Sequence, residues 1–132
     1  MLSSPLILVV ENEAKPTTSL RNDLEQPGFR VEEATDGKTA LVRIAETKPD
    51  LILLSWVLPR MSCIAVCRRI RRDLTDVVPI IVVGTRSDDR NTVEILNAGA
   101  DAYITWPFNT GILLARMVAL LCRAGTTMPK PR

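Results

Sequence analysis

The sequence contains no histidine and only three cysteines. Both shortages limit the reactions and the metal sites that the protein can support. Histidine is the usual general base of enzymes and the commonest metal ligand, so its absence from all 132 residues argues against most hydrolases and most metal sites. The cysteines, Cys63, Cys67 and Cys122, are odd in number, and no spacing among them matches a zinc site. We therefore predict that the protein is not an enzyme, and that Cys63 and Cys67 are small core residues on one helix face.

Long apolar runs and a large net charge are missing as well. No stretch approaches the ~20 apolar residues that span a bilayer, and the first residues lack the basic region of a signal peptide. The net charge of +2 is too small to favour membrane or nucleic acid binding. These features predict a cytoplasmic protein with one core. We assign residues 1–124 to a single domain and residues 125–132 to a tail or the start of a linker.

Strand-like and helix-like segments alternate five times along the chain. The first, third and fourth strands are apolar at nearly every position, which is typical of a parallel sheet covered by helices on both faces. The pattern predicts an α/β fold, a doubly wound (βα)5 sheet in the flavodoxin-like order 2-1-3-4-5. The predicted strands are Leu6–Val10, Phe29–Ala34, Leu51–Ser55, Pro79–Gly84 and Ala100–Thr105, and the predicted helices are Ala14–Gln26, a segment starting at Asp36, Cys63–Leu74, Asp88–Ala98 and Asn109–Arg123.

Ligands of open α/β sheets bind at the carboxyl ends of the strands, so the residues that follow the strands are the candidate site. They are Glu11-Asn12-Glu13, Ser55, Gly84-Thr85 and Trp106-Pro107. Without a neighbouring base, a serine hydroxyl is a poor nucleophile. We therefore interpret Ser55 as a small polar residue that satisfies the backbone at a strand end. Trp106 is equally compatible with an inward position and with an outward one.

Three long stretches of the chain match a known pattern in order and spacing; they are Ile7 to Glu13, Pro49 to Pro59 and Gly99 to Phe108. They resemble the receiver domain of bacterial response regulators, and most of all the OmpR/PhoB winged-helix subclass of this CheY-like family. The resemblance covers about residues 5–123. It implies phosphoryl transfer to an aspartate with Mg²⁺, an acidic pair after the first strand, a hydroxyl after the fourth strand and a lysine after the fifth.

At the positions of this family motif, the sequence departs from the pattern nearly everywhere. The acceptor position is Ser55, and the acidic pair is reduced to Glu11 because its second member is Asn12. Gly84 takes the hydroxyl position and Trp106 the lysine position, while Tyr103 fits as the aromatic that reports the state. Mg²⁺ prefers carboxylate and water oxygens, so we predict no cofactor and weak or absent Mg²⁺ binding. The Trp106-Pro107 bond is expected to be cis, as the corresponding Lys-Pro bond commonly is in the family.

Members of this subclass generally dimerise through the fourth helix, the fifth strand and the fifth helix. The sequence therefore predicts a protein partner or a homodimer on this face, with nucleic acid contact only through a further C-terminal DNA-binding domain. Arginines 68, 69, 71 and 72 are interpreted as a solvated helix face rather than a nucleic acid site. The residues proposed for the dimer face are Asp101, Ile112, Ala115, Arg116 and Ala119.

The function predicted from the sequence is a pseudo-receiver, an atypical receiver domain in two-component signal transduction that works without phosphorylation. It would serve as an interaction module in transcription regulation. Two alternatives stay open at this point. In one, the vacated pocket beside Trp106 binds a small molecule. In the other, phosphorylation uses unconventional chemistry at Ser55 or at another acid.

Overall fold

A computed structural model of the chain describes residues 4–11, 18–84 and 89–126, and in these ranges five parallel strands form one sheet. The order β2-β1-β3-β4-β5 confirms the predicted flavodoxin-like topology. The strands are β1 Leu6–Val10, β2 Arg30–Ala34, β3 Leu51–Ser55, β4 Ile80–Gly84 and β5 Ala102–Thr105. The helices are α1 Thr18–Glu25, α2 Gly37–Thr47, α3 Cys63–Arg69, α4 Asp89–Asn97 and α5 Thr110–Arg123, with a π-helical turn at Ile70–Leu74 after α3.

The two faces of the sheet each bury an apolar cluster, which is why β1, β3 and β4 are apolar at successive positions. Side chains alternate between faces along a strand, so Leu8 and Val10 enter one cluster and Ile7 and Val9 the other. The first cluster packs against α2, α3 and α4, and the second packs against α1 and α5. The sheet is therefore covered on both sides, as the sequence predicts.

Short polar side chains define where helices begin. Asp36 and Asn109 accept hydrogen bonds from the backbone N–H groups of Thr39 and Ile112 at 2.7 and 3.2 Å, in the manner of N-caps. The hydrogen bonds from Thr39 lower the pKa of the Asp36 carboxyl. After α4 the chain reverses at Gly99, where φ is +119° and glycine carries no steric penalty.

The segment predicted as one α-helix from Cys63 to Leu74 changes its geometry halfway. Cys63, Cys67 and Ile70 are buried as expected, but the last five residues form the π-helical turn. There the Thr75 N–H donates to the Ile70 carbonyl at 2.8 Å. A π turn takes more residues per revolution than an α-helix, so Leu74 falls out of phase with the predicted apolar stripe and is 37% exposed.

The two buried cysteines of α3 are partners of each other. A hydrogen bond with the Cys67 thiol, together with burial, raises the pKa of Cys63. The same hydrogen bond lowers the pKa of Cys67. Both thiols lie inside the first apolar cluster, as the sequence predicts for core residues. Cys122 is exposed on α5.

Arg71 corrects the prediction that all four arginines of this segment form a solvated face. Its guanidinium is only 18% exposed, and it donates to the carbonyls of Gly99 and Val78 at 2.9 and 2.7 Å. It also pairs with Asp101 at 2.9 Å, whose carboxylate accepts the Ile80 N–H at 2.8 Å. The π turn brings Arg71 under the starts of β4 and β5, so this arginine ties together backbone that precedes both strands.

None of the helices described in the structure is long and apolar enough to cross a membrane.

Arg71→Met is expected to lower the free energy of unfolding by ~2–3 kcal/mol, because it leaves the carbonyls of Thr75, Val78 and Gly99 and the Asp101 carboxylate without their charged donor. Arg68→Met is the matched control, since Arg68 is exposed on the same segment, and its expected effect is within ~0.5 kcal/mol. Urea denaturation followed by circular dichroism measures both. Equal midpoints for the two variants would show that the Arg71 network contributes nothing to stability.

Candidate functional site

The register of the strands places the predicted site residues along one edge of the sheet. Val10 pairs with Leu54, so Glu11 and Ser55 follow neighbouring positions on β1 and β3. Ser55 pairs with Val83, and Gly84 pairs with Thr105 just before Trp106. Neighbouring strands lie about 4.8 Å apart, so the parallel sheet gathers these four residues at its carboxyl edge.

Ser55 ends β3 as a half-buried residue with a local hydrogen bond. Its hydroxyl donates to the Val57 carbonyl at 3.3 Å. The backbone N–H of Trp56 donates to the Val83 carbonyl at 2.8 Å, which fixes the chain as it leaves the sheet. The hydroxyl thus satisfies the turn that follows β3, in agreement with the interpretation of Ser55 as a backbone partner.

Carboxylates are scarce at this edge. Among the described side chains that follow β1, β3, β4 and β5, Glu11 is the only acid, and Asn12 and Glu13 lie outside the described residues, as does Thr85. Asp36 follows β2, but its carboxylate caps α2. Within residues 4–11, 18–84 and 89–126, no three His, Cys, Asp or Glu side chains are grouped as metal ligands. Within the described part of this edge, Glu11 contributes one carboxylate and Ser55 one hydroxyl oxygen, and oxygen atoms are the ligands that Mg²⁺ prefers.

Tyr103 lies against Gly84 on the α3–α4 side of the sheet. Tyr103 pairs with Val82 across β4 and β5, so its side chain leaves the same face as that of residue 84. A β-carbon built on Gly84 would overlap the Tyr103 hydroxyl and would lie 2.7 and 2.9 Å from ring atoms Cζ and Cε2. The partly buried ring packs against the first apolar cluster.

Trp106 turns toward solvent. Its side chain is 50% exposed, and its ring meets that of Phe108 edge to face, with centroids 4.9 Å apart and an interplanar angle of 83°. Of the two positions that the sequence allows for Trp106, the structure therefore shows the outward one. The Trp106-Pro107 peptide bond is cis, as predicted.

A cavity of about 890 Å³ lies far from this edge. It is bordered by Pro49, Asp50 and Pro79, which precede β3 and β4, and by Arg123 and Thr126 near the end of α5. These residues belong to the amino end of the sheet. The cavity gives no support to the hypothesis of a ligand bound beside Trp106.

The face formed by α4, β5 and α5 exposes apolar side chains. Ile112, predicted for this face, is 58% exposed, and Ala115, Arg116 and Ala119 are exposed on α5 as well. Asp101, also predicted for it, is held within its own chain by Arg71 and the Ile80 N–H. Sequence reasoning did not single out three further exposed apolar residues, although their outward positions on amphipathic helices were the available signal; they are Val93, Leu96 and Val118.

Comparisons with known proteins agree with this geometry. Residues 7–118 match the family model of the response regulator receiver domain. The phosphate regulon transcriptional regulatory protein PhoB of Rhizobium meliloti (strain 1021) is 43% identical over 121 residues, which cover 91% of this chain and 53% of that protein. This chain thus spans about half the length of the curated relatives that it matches.

Solved receiver domains superimpose on the chain over most of its length. A CheY-like response regulator receiver domain protein from Methanospirillum hungatei JF-1 is 30% identical with a TM-score of 0.86, covering 93% of this chain and 98% of that one. The receiver domain of a sensor histidine kinase from Pseudomonas aeruginosa PAO1 is 26% identical with a TM-score of 0.82, covering 91% and 99%. That structure has a magnesium ion coordinated in its active-site cleft.

Proposed function

This chain belongs to the response regulator receiver domain family, and we propose that it is a receiver that signals without aspartyl phosphorylation. In this proposal it is the regulatory domain of a two-component transcriptional regulator in the cytoplasm. Its output is the binding of a protein partner or of a second copy through the α4–β5–α5 face. Contact with DNA belongs to a separate domain of the kind that follows a receiver in transcription factors.

The observation that carries the proposal is the chemistry of residue 55. A phosphoryl acceptor in a receiver is a carboxylate whose oxygen attacks phosphorus. Here the end of β3 presents a hydroxyl that donates to the Val57 carbonyl. The sequence has no histidine that could remove the proton of this hydroxyl. Ser55 therefore lacks both the charge and the base that attack on a phosphodonor needs.

Charge stabilisation at the same edge supports the proposal. A transferring phosphoryl group spreads negative charge over its oxygens, and enzymes stabilise it with metal ions and cationic side chains. Trp106 stands at the lysine position, and Glu11 is the only described carboxylate beside Ser55. We propose that Mg²⁺ affinity is weak or absent for this reason.

Asn12, Ser55 and Trp106 replace charged residues of the family motif. This combination is expected of a site that no longer binds a charged group. A lysine kept beside one acid and a serine would be a poorly compensated cation, which is costly in a partly buried place. Tryptophan carries no such cost, and half of its surface is exposed beside Phe108. The loss of acids and the loss of lysine thus favour each other energetically.

Exposed apolar side chains support the proposed output surface. Ile112, Val93 and Leu96 are 58%, 57% and 44% exposed on α5 and α4. Large exposed apolar side chains on the two helices that flank the edge strand β5 are typical of protein interfaces. Asp101 is already engaged by Arg71, so we assign the larger share of the binding energy to apolar contacts and a smaller share to ion pairs with Arg116.

Titration with Mg²⁺ and beryllofluoride, followed by amide NMR, tests the loss of the phosphorylation site. We expect no saturable shifts around residues 11 and 55 at millimolar Mg²⁺. The matched variant Asn12→Asp/Ser55→Asp restores two carboxylates and is expected to bind Mg²⁺ at least about tenfold more tightly, because oxygen ligands and charge are what the ion selects. Saturable shifts around Ser55 in the unmodified protein would refute the proposal.

Sedimentation velocity over a range of concentrations tests the output surface. We expect a concentration-dependent dimer, and we expect Ile112→Asp to weaken it by about tenfold or more, since a charge would be buried at the apolar centre of the interface. Val42→Asp is the control, because Val42 is 51% exposed on α2, outside the proposed face. A monomer at high micromolar concentration, or equal effects of the two variants, would exclude this face as a dimer interface.

A further inference from the structure

Gly84 and Tyr103 occupy one space in this protein. Residues 82 and 84 of β4 share the sheet face from which Tyr103 leaves β5, and the Tyr103 ring leans along the sheet until it lies over Gly84. Any β-carbon at residue 84 would overlap the Tyr103 hydroxyl and would come within 2.9 Å of two ring carbons. The ring can adopt this position because residue 84 has no side chain.

The ring is tied into the protein interior on its other side. It packs against the first apolar cluster, which includes Val82 of β4 and Ile95 of α4. Tyr103 is itself part of β5, which belongs to the proposed output face and contacts α4. Gly84 has no side chain that could compete with the ring for this space. It also has no hydroxyl that could hydrogen-bond a ligand at the carboxyl edge.

We propose a lock: residue 84 leaves space for the Tyr103 ring, and packing against the first apolar cluster holds the ring in this single position. The α4–β5 surface then stays in one state, whatever binds or reacts near Ser55. This inference deepens the proposed function, since a receiver that is not switched by phosphorylation needs its output face set in advance. The device is steric. A side chain at residue 84, even a methyl group, would force the ring out.

Fluorine NMR can follow the ring without ambiguity, because Tyr103 is the only tyrosine in the chain. After 3-fluorotyrosine labelling, we expect a single resonance that a soluble gadolinium agent relaxes weakly. In Gly84→Ala the resonance is expected to move and its relaxation by the agent to rise severalfold. Gly111→Ala is the control, because a methyl group there would meet only the Asn109 side-chain oxygen, at 3.0 Å.

Stability gives a second readout that is independent of the label. Alanine normally stabilises a strand relative to glycine, since glycine loses more backbone freedom on folding. We expect Gly84→Ala to lower the urea midpoint in the parent chain but to raise it in a Tyr103→Leu background, where the ring atoms are gone. The reversal of sign identifies the ring as the cause. A midpoint that moves the same way in both backgrounds, with Tyr103 equally protected in Gly84→Ala, would overturn the lock.

The lock and the proposed function can fail separately. Addition of Mg²⁺ and beryllofluoride to the labelled parent chain is expected to leave the tyrosine resonance in place. Amide shifts around Ser55 with an unmoved tyrosine would refute the loss of the phosphorylation site while retaining the lock. A tyrosine resonance that moves on this addition would refute the lock.

Discussion

The parallel sheet imposes the constraint on which the site depends. All five strands run in one direction, so whatever residues follow β1, β3, β4 and β5 must share one edge. Charges placed there have to balance at close range. In this chain the described residues at the ends of these strands are Glu11, Ser55, Gly84 and Trp106, and Glu11 is the one charged member of this set. Steric and apolar contacts therefore dominate among these four residues.

Below this edge the fold is maintained by two apolar clusters and one polar tie. The clusters cover the two faces of the sheet and account for the continuous apolar strands. The polar tie is formed by the guanidinium of Arg71. It donates hydrogen bonds to carbonyls that precede β4 and β5 and forms an ion pair with the Asp101 carboxylate. Because Asp101 also accepts the Ile80 N–H, the starts of both strands are fixed relative to the π-helical turn. The same anchor fixes the strand that carries Tyr103.

Periodicity and turn residues were sufficient to predict the order of elements. Apolar strands and the helix starts at Asp36 and Asn109 are local signals, and the structure places each of them as predicted. The π-helical turn was not predicted, because the hydrogen bonds of Arg71 to Gly99 and Val78 that accompany it are long-range contacts. Four arginines among residues 68–72 give no sign in the sequence that one of them is turned inward.

The sequence located residues at the carboxyl ends of the strands, but it did not give the geometry between them. Comparison with a family motif located Ser55, Gly84, Tyr103 and Trp106 one at a time. The overlap of Gly84 with the Tyr103 ring depends on the register of β4 and β5, and the edge-to-face contact of Trp106 depends on the position of Phe108. Both are relations between side chains on different turns or strands, which a reading of single positions cannot supply.

The central claim is that this edge cannot accept a phosphoryl group on a carboxylate. Intact-mass spectrometry after incubation with acetyl phosphate and Mg²⁺ tests it most directly. The account predicts an unchanged mass. A mass gain of one phosphoryl group that hydroxylamine removes, as it removes an acyl phosphate, would contradict it.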